Sequence, residues 1–92
     1  MSVTIRIPTA LRKLAGGAAS IEVDGATVGE ALTFVCETHP DLGKQLVGED
    51  GKVRRFVNLF ANDEDIRFLD DLSTALKDGD ELSIVPAIAG GR

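Results

Sequence analysis

Apolar and polar residues alternate along Val3-Thr4-Ile5-Arg6-Ile7, the period of a strand buried on one face, and Pro8 ends the run. The same alternation returns at Ser20-Ile21-Glu22-Val23, bounded by the turn signals Gly16-Gly17 and Asp24-Gly25. Val3, Ile5 and Ile7 are expected to face the core, Leu11 and Leu14 to anchor the connecting loop, and the two strands to form a hairpin. The period then changes. Val28, Ala31, Leu32, Val35 and Cys36 make one stripe at helical spacing, as on a helix lying against a sheet. Thr27-Val28-Gly29-Glu30 opens that helix as a capping box, the threonine hydroxyl accepting from the amide three residues on while Glu30 reaches back to the cap amide. Pro40 limits the helix, because the residue before a proline avoids helical angles. Residues 41–46 follow as a short second helix.

Beyond the polar loop 48–52, Arg54-Arg55 lead into a strand over residues 56–61. Its Val57, Leu59 and Ala61 take the core side, leaving Phe56, Asn58 and Phe60 outward. Residues 62–65 read as a tight turn, 66–68 as a brief strand and 72–76 as a helical turn. After the turn Lys77-Asp78-Gly79-Asp80, residues 81–85 form the last strand, with Leu82 and Ile84 inward and Ser83 and Val85 outward. Strand, strand, helix, strand, short strand, strand predicts an α+β fold, a mixed sheet packed on one main helix. Its simplest closed form is a β-grasp, in which the first and last strands run parallel at the sheet's centre. Residues 1–86 would make that domain and 87–92 a flexible C-terminal tail.

The 92 residues suffice for one modest core. No apolar run approaches the about 18 residues of a membrane span, and the N-terminus lacks the basic-then-apolar layout of a signal peptide, which points to the cytosol. Cys36 and His39, the only cysteine and histidine, cannot build a zinc or iron–sulfur site, so no metal is expected and ferredoxin-like redox chemistry is excluded. Cys36 reads as a small core residue, His39 as a cap at the helix's C-terminal end. No nucleophile–base set or carboxylate pair suggests an enzyme, and Gly16-Gly17 lacks the lysine and hydroxyl of a phosphate loop. The net charge is −5, with acid gathered in Asp63, Glu64, Asp65, Asp70, Asp71, Asp78, Asp80 and Glu81. That surface would repel nucleic acid, and it either complements a basic groove on a protein partner or is a solvated face that keeps a small protein soluble.

The remaining chemistry sits at the end, Val85-Pro86-Ala87-Ile88-Ala89-Gly90-Gly91-Arg92. No side chain there can catalyse; the asset is the carboxylate that Gly91 would carry without Arg92. Six residues from Pro86 to Gly91 span about 20 Å when extended, at about 3.3 Å each, enough to reach an active site below a docked surface. Without Cβ atoms, Gly90 and Gly91 suit a narrow channel, with Ala89 behind them. A docking surface should accompany the tail, and outward Arg6, Phe60 and Val85 are its candidates.

Four stretches together resemble ubiquitin-like sulfur-carrier proteins of the ThiS/MoaD family. They are Ile7-Pro8-Thr9-Ala10-Leu11-Arg12, Thr27-Val28-Gly29-Glu30-Ala31-Leu32, the run from Phe56 through Ala61-Asn62-Asp63 to Arg67, and the run from Leu76 through Asp78-Gly79-Asp80 and Pro86 to Gly90-Gly91. Overall likeness is greatest to the branch that delivers sulfur for cysteine synthesis. The resemblance implies a carrier that binds no cofactor and is not an enzyme. An E1/MoeB-like adenylyltransferase would use ATP to adenylate Gly91, because a bare carboxylate is a poor electrophile. A sulfur donor would then displace AMP and leave a thiocarboxylate. In the cysteine branch that sulfur attacks an aminoacrylate held by a pyridoxal-phosphate-dependent synthase, and a zinc metallopeptidase of the JAMM type cuts the product free; in the others it goes to molybdopterin or thiamin. Arg92 departs from the pattern: it is a residue trimmed from a precursor, a remnant of expression, or the mark of a protein that never carries sulfur. Two alternatives stand beside the carrier: a ubiquitin-like modifier conjugated to lysines, and a non-catalytic β-grasp interaction module.

Overall fold

Strand β1 (Ser2–Arg6) and strand β2 (Ser20–Asp24) form the expected antiparallel hairpin, with Val3 opposite Val23 and Ile5 opposite Ile21 on the inner face. These belong to a computed structural model that describes residues 2–55 and 57–86. The connection is more ordered than a loop, because residues Thr9–Ala15 wind into a 3-10 helix. It closes at Gly16 and Gly17, whose φ of 68° and 86° lie in the left-handed region open to glycine.

Helix α1 (Val28–Thr38) opens on the capping box. Thr27 Oγ1 accepts from the Glu30 amide at 3.2 Å, while Glu30 Oε1 accepts from Ala26 at 2.9 Å, one residue before the cap amide. Val28, Ala31, Leu32 and Val35 are buried on the sheet, but Cys36 is exposed. Its position at the edge of the stripe turns it away from the sheet toward the next helix. There α2 (Pro40–Leu46) brings Gly43 so close that a Cβ at position 43 would lie 2.7 Å from Cys36 Sγ and 2.8 Å from its Cα. Helix α2 starts one residue earlier than expected, since the fixed φ of Pro40 both ends α1 and suits the first helical position. His39 joins the two helices: its amide donates to the Val35 carbonyl at 2.7 Å, and its carbonyl accepts from Gly43 at 2.9 Å.

Strands β3 (Val57–Ala61), β4 (Glu64–Asp65) and β5 (Glu81–Pro86) complete a sheet of order β2-β1-β5-β3-β4. β1 and β5 are parallel at its centre and the other pairs antiparallel, which is the β-grasp arrangement. Two local expectations change. The tight turn narrows to Asn62 and Asp63, whose φ of 50° and 78° match the twist of a two-residue hairpin, so Glu64 and Asp65 become strand. Residues Ile66–Phe68 then form a 3-10 turn instead of a strand, with Ile66 in the core. The helical turn expected at 72–76 is replaced by a short 3-10 turn, Asp71–Ser73, after which Ala75 bridges to Thr27 and holds the chain extended. The core lies between the inner sheet face, with Val3, Ile5, Leu59, Leu82 and Ile84, and the helices, with Val35, Leu42 and Leu46.

Candidate functional site at the end of the last strand

β5 runs up the middle of the sheet and its final described pair is Pro86 opposite Val57. Pro86 has no amide to donate to a neighbouring strand. The residues on which the tail reading rests, Ala89, Gly90, Gly91 and Arg92, lie outside the described residues, as does Phe56.

The three candidate docking residues fall on one outward face. Ser83 is the register partner of Phe60 on one side and of Arg6 on the other, and Val85 stands two residues further along β5, opposite Asn58. Val85 is 44% exposed and Phe60 half-buried, so the patch offers part of a ring and a branched aliphatic chain to solvent. Arg6 is exposed and its Nη1 lies 3.8 Å from Glu81 Oε2, a contact weakened by water and salt. Phe68, which could have shielded Phe60, is itself 83% exposed.

A rigid turn borders this end of β3. Asp65 Oδ1 accepts from the Arg67 amide at 2.9 Å, and the Arg67 guanidinium reaches both carboxylate oxygens, with Nη2 to Oδ2 at 2.7 Å. These bonds stabilise the charged carboxylate, the side-chain ones most, and hold Asp65 below its ordinary value of 3.8. Stability from this fork is therefore complete above the ordinary carboxylate range and lost as pH falls through the lowered value. Asp65→Asn is expected to lower the melting temperature at neutral pH, and the gap to wild type should close on acidification, as thermal melts across pH would record.

The acidic residues group differently in space than along the chain. Asp78, Asp80 and Glu81 stand where β5 begins, and the Asp63–Glu64 hairpin is tied to them, the Asn62 amide donating to the Glu81 carbonyl at 2.9 Å and the Glu81 amide to Asn62 Oδ1 at 3.0 Å. Glu22 and Asp24 lie opposite Thr4 and Ser2 at the same end. This acid is thus at the far end of the sheet from Pro86, and only Asp65, Asp70 and Asp71 of the expected acidic surface lie toward the tail. The Arg54-Arg55 pair precedes Val57, and the antiparallel pairing of β3 with β5 places it at the Pro86 end of the sheet, away from this acid.

Among the described residues no group of His, Cys, Asp and Glu could hold a metal ion, and no helix is long and apolar enough to cross a membrane. The fold and the outward patch beside the end of its central strand define a ubiquitin-like β-grasp protein. The chain belongs to the ThiS family, whose pattern it matches over residues 5–91. It is 42% identical over 93 residues to the sulfur carrier protein CysO of Mycobacterium tuberculosis, covering 99% of this chain and 100% of that protein. A chain in the crystal structure of an Amycolatopsis orientalis BexX/CysO complex superposes with a TM-score of 0.88 at 48% identity, covering 97% of this chain and 99% of that one. Small archaeal modifier protein 3 of Haloferax volcanii is 41% identical over 68 residues, 74% of this chain and 73% of that protein.

Proposed function

We propose that this chain is a sulfur carrier, a protein co-substrate of other enzymes, whose working group is the Gly91 carboxyl. The observation that carries the reading is topological: the central strand ends at Pro86 beside an outward patch, and Gly90-Gly91 follow within about 20 Å of chain. The full-length likeness to CysO favours cysteine synthesis over molybdopterin or thiamin as the destination of the sulfur.

The chemistry follows from the group. A Gly91 carboxylate oxygen attacks the α-phosphorus of ATP on an E1/MoeB-like enzyme and expels pyrophosphate. Sulfide then adds to the acyl carbon, AMP leaves with the C–O bond electrons, a proton is released, and a thiocarboxylate remains. Its sulfur is passed to a pyridoxal-phosphate-dependent synthase. ATP and pyridoxal phosphate belong to the partners. A peptide-bonded Gly91 offers no carboxylate, so the form that carries sulfur is the one ending at Gly91.

Incubating chains that end at Gly91 and at Arg92 with ATP and an adenylating enzyme tests this. The former alone should support pyrophosphate exchange; equal exchange by both would overturn it. Phe60→Ala should raise the KM for activation about tenfold through loss of an aromatic anchor, with the melting temperature held. A melting temperature lower by many degrees would instead place Phe60 in the core. Lysine adducts ending in Gly91 would favour a modifier, the role carried in the name of the Haloferax relative.

A further inference from the structure

Charge is segregated along the strands of this protein. Acid gathers where β5 begins, whereas Lys52, Arg54 and Arg55 lead directly into Val57, the partner of Pro86 where β5 ends. A cleft of about 530 Å³ opens on this second end. The apolar surface it offers is that of Val53 and Leu72, both half-buried, above the buried Val57, Leu59 and Ile66, and the segment 52–55 forms one wall. Arg54 is fixed by its Nε, which donates to the Lys44 carbonyl. Lys52 and Arg55 are exposed, and among the described residues no carboxylate pairs with either. Arg67 lines the cleft too, held rigid by Asp65, and the same turn presents Phe68 to solvent. A large ring so exposed on a fixed mount marks a contact surface.

We propose that this cleft is a second docking element for the enzyme that activates the tail, and that it receives an acidic segment of that enzyme carrying an apolar side chain. The inference rests on the carrier reading above and adds the chemistry of the partner's surface. Carboxylates on the segment meet Lys52 and Arg55, its apolar side chain covers Val53 and Leu72, and Phe68 packs against the partner beside it. Complementary charge next to the tail's exit speeds encounter and sets orientation, so that the tail enters the active site while the acidic end of the carrier points away. A nucleotide fits poorly. Asp70 and Asp71 line the cleft as well and repel the concentrated charge of a polyphosphate, whereas a peptide can set single carboxylates against one wall.

The test uses the chain ending at Gly91 with its activating enzyme and follows pyrophosphate exchange against carrier concentration at low and high salt. Combined Lys52→Glu and Arg55→Glu substitution should raise KM about tenfold, leave kcat unchanged and flatten the salt dependence. Phe68→Ser should raise KM by a similar factor without that salt effect. Lys77→Glu, at the acidic end, should leave KM as in wild type. KM within twofold of wild type for both cleft variants would overturn the proposal, and so would an equal rise for Lys77→Glu, which would trace the effect to net charge. ATP binding to the carrier alone, lost on Lys52→Glu with Arg55→Glu, would also overturn it by assigning the cleft to a nucleotide. If Gly91→Ala blocks exchange while the cleft variants behave as wild type, only this inference falls; exchange by no chain removes the carrier reading with it.

Discussion

Replacing Gly91 by alanine, in a chain ending at that position, is expected to slow thiocarboxylate formation roughly 100-fold, the scale of loss that misplacement by about an ångström at a reacting centre produces. The added methyl sits on the carbon next to the acyl group, where a channel fitted to glycine would have no room for it. It also closes the backbone angles that glycine alone takes freely. The melting temperature should match wild type, because the core residues among those described run from Val3 to Ile84, away from position 91 in the chain. Single-turnover assays with ATP, sulfide and the activating enzyme, read by intact mass, give the rate. Equal rates for the two chains would contradict a channel shaped for glycine.

Leu82→Ala should have the largest effect on stability. Leu82 is fully buried at the centre of the sheet, facing Ile5 across the parallel pair and Ala61 across the antiparallel one. Truncating it leaves a cavity between two strands that cannot close on each other, costing about 2–5 kcal/mol. A domain of this size has roughly 5–15 kcal/mol in total, so the variant should be partly unfolded near physiological temperature. Val85→Ala, on the same strand but facing out, should stay within about 0.5 kcal/mol of wild type. Urea unfolding of the two variants measures the difference, and a loss below about 1 kcal/mol for Leu82→Ala would contradict the inner-face assignment.

Much of this fold could be read in advance because its strands obey a strict period of two. Val3, Ile5, Leu59, Leu82 and Ile84 declare the inner face, and the amphipathic stripe of α1 supplies a face to pack against it. The misreadings share a cause: short segments decided by tertiary neighbours. Ile66-Arg67-Phe68 alternates over only three residues, and the Asp65–Arg67 fork with the burial of Ile66 bends it into a turn. Cys36 has the spacing of the stripe, but Gly43 of α2, which no local pattern announces, takes up the space beside it. Charge was misjudged because neighbours in sequence part company in space: Asp70 and Asp71 lie toward the cleft while Asp78, Asp80 and Glu81 lie at the other end. The outward positions of Arg6, Phe60 and Val85 followed from the strand period, whereas the cleft formed by residues 52–55 and the turn at 66–68 needs the three-dimensional arrangement to exist at all.

The most direct examination of a main-chain carboxyl as the working group is the intact mass of this protein taken from growing cells. A population lacking Arg92, with one oxygen replaced by sulfur and the sulfur located at Gly91 by fragmentation, is the predicted result. Protein that keeps Arg92 at every stage of growth, with no sulfur-bearing form, would contradict it.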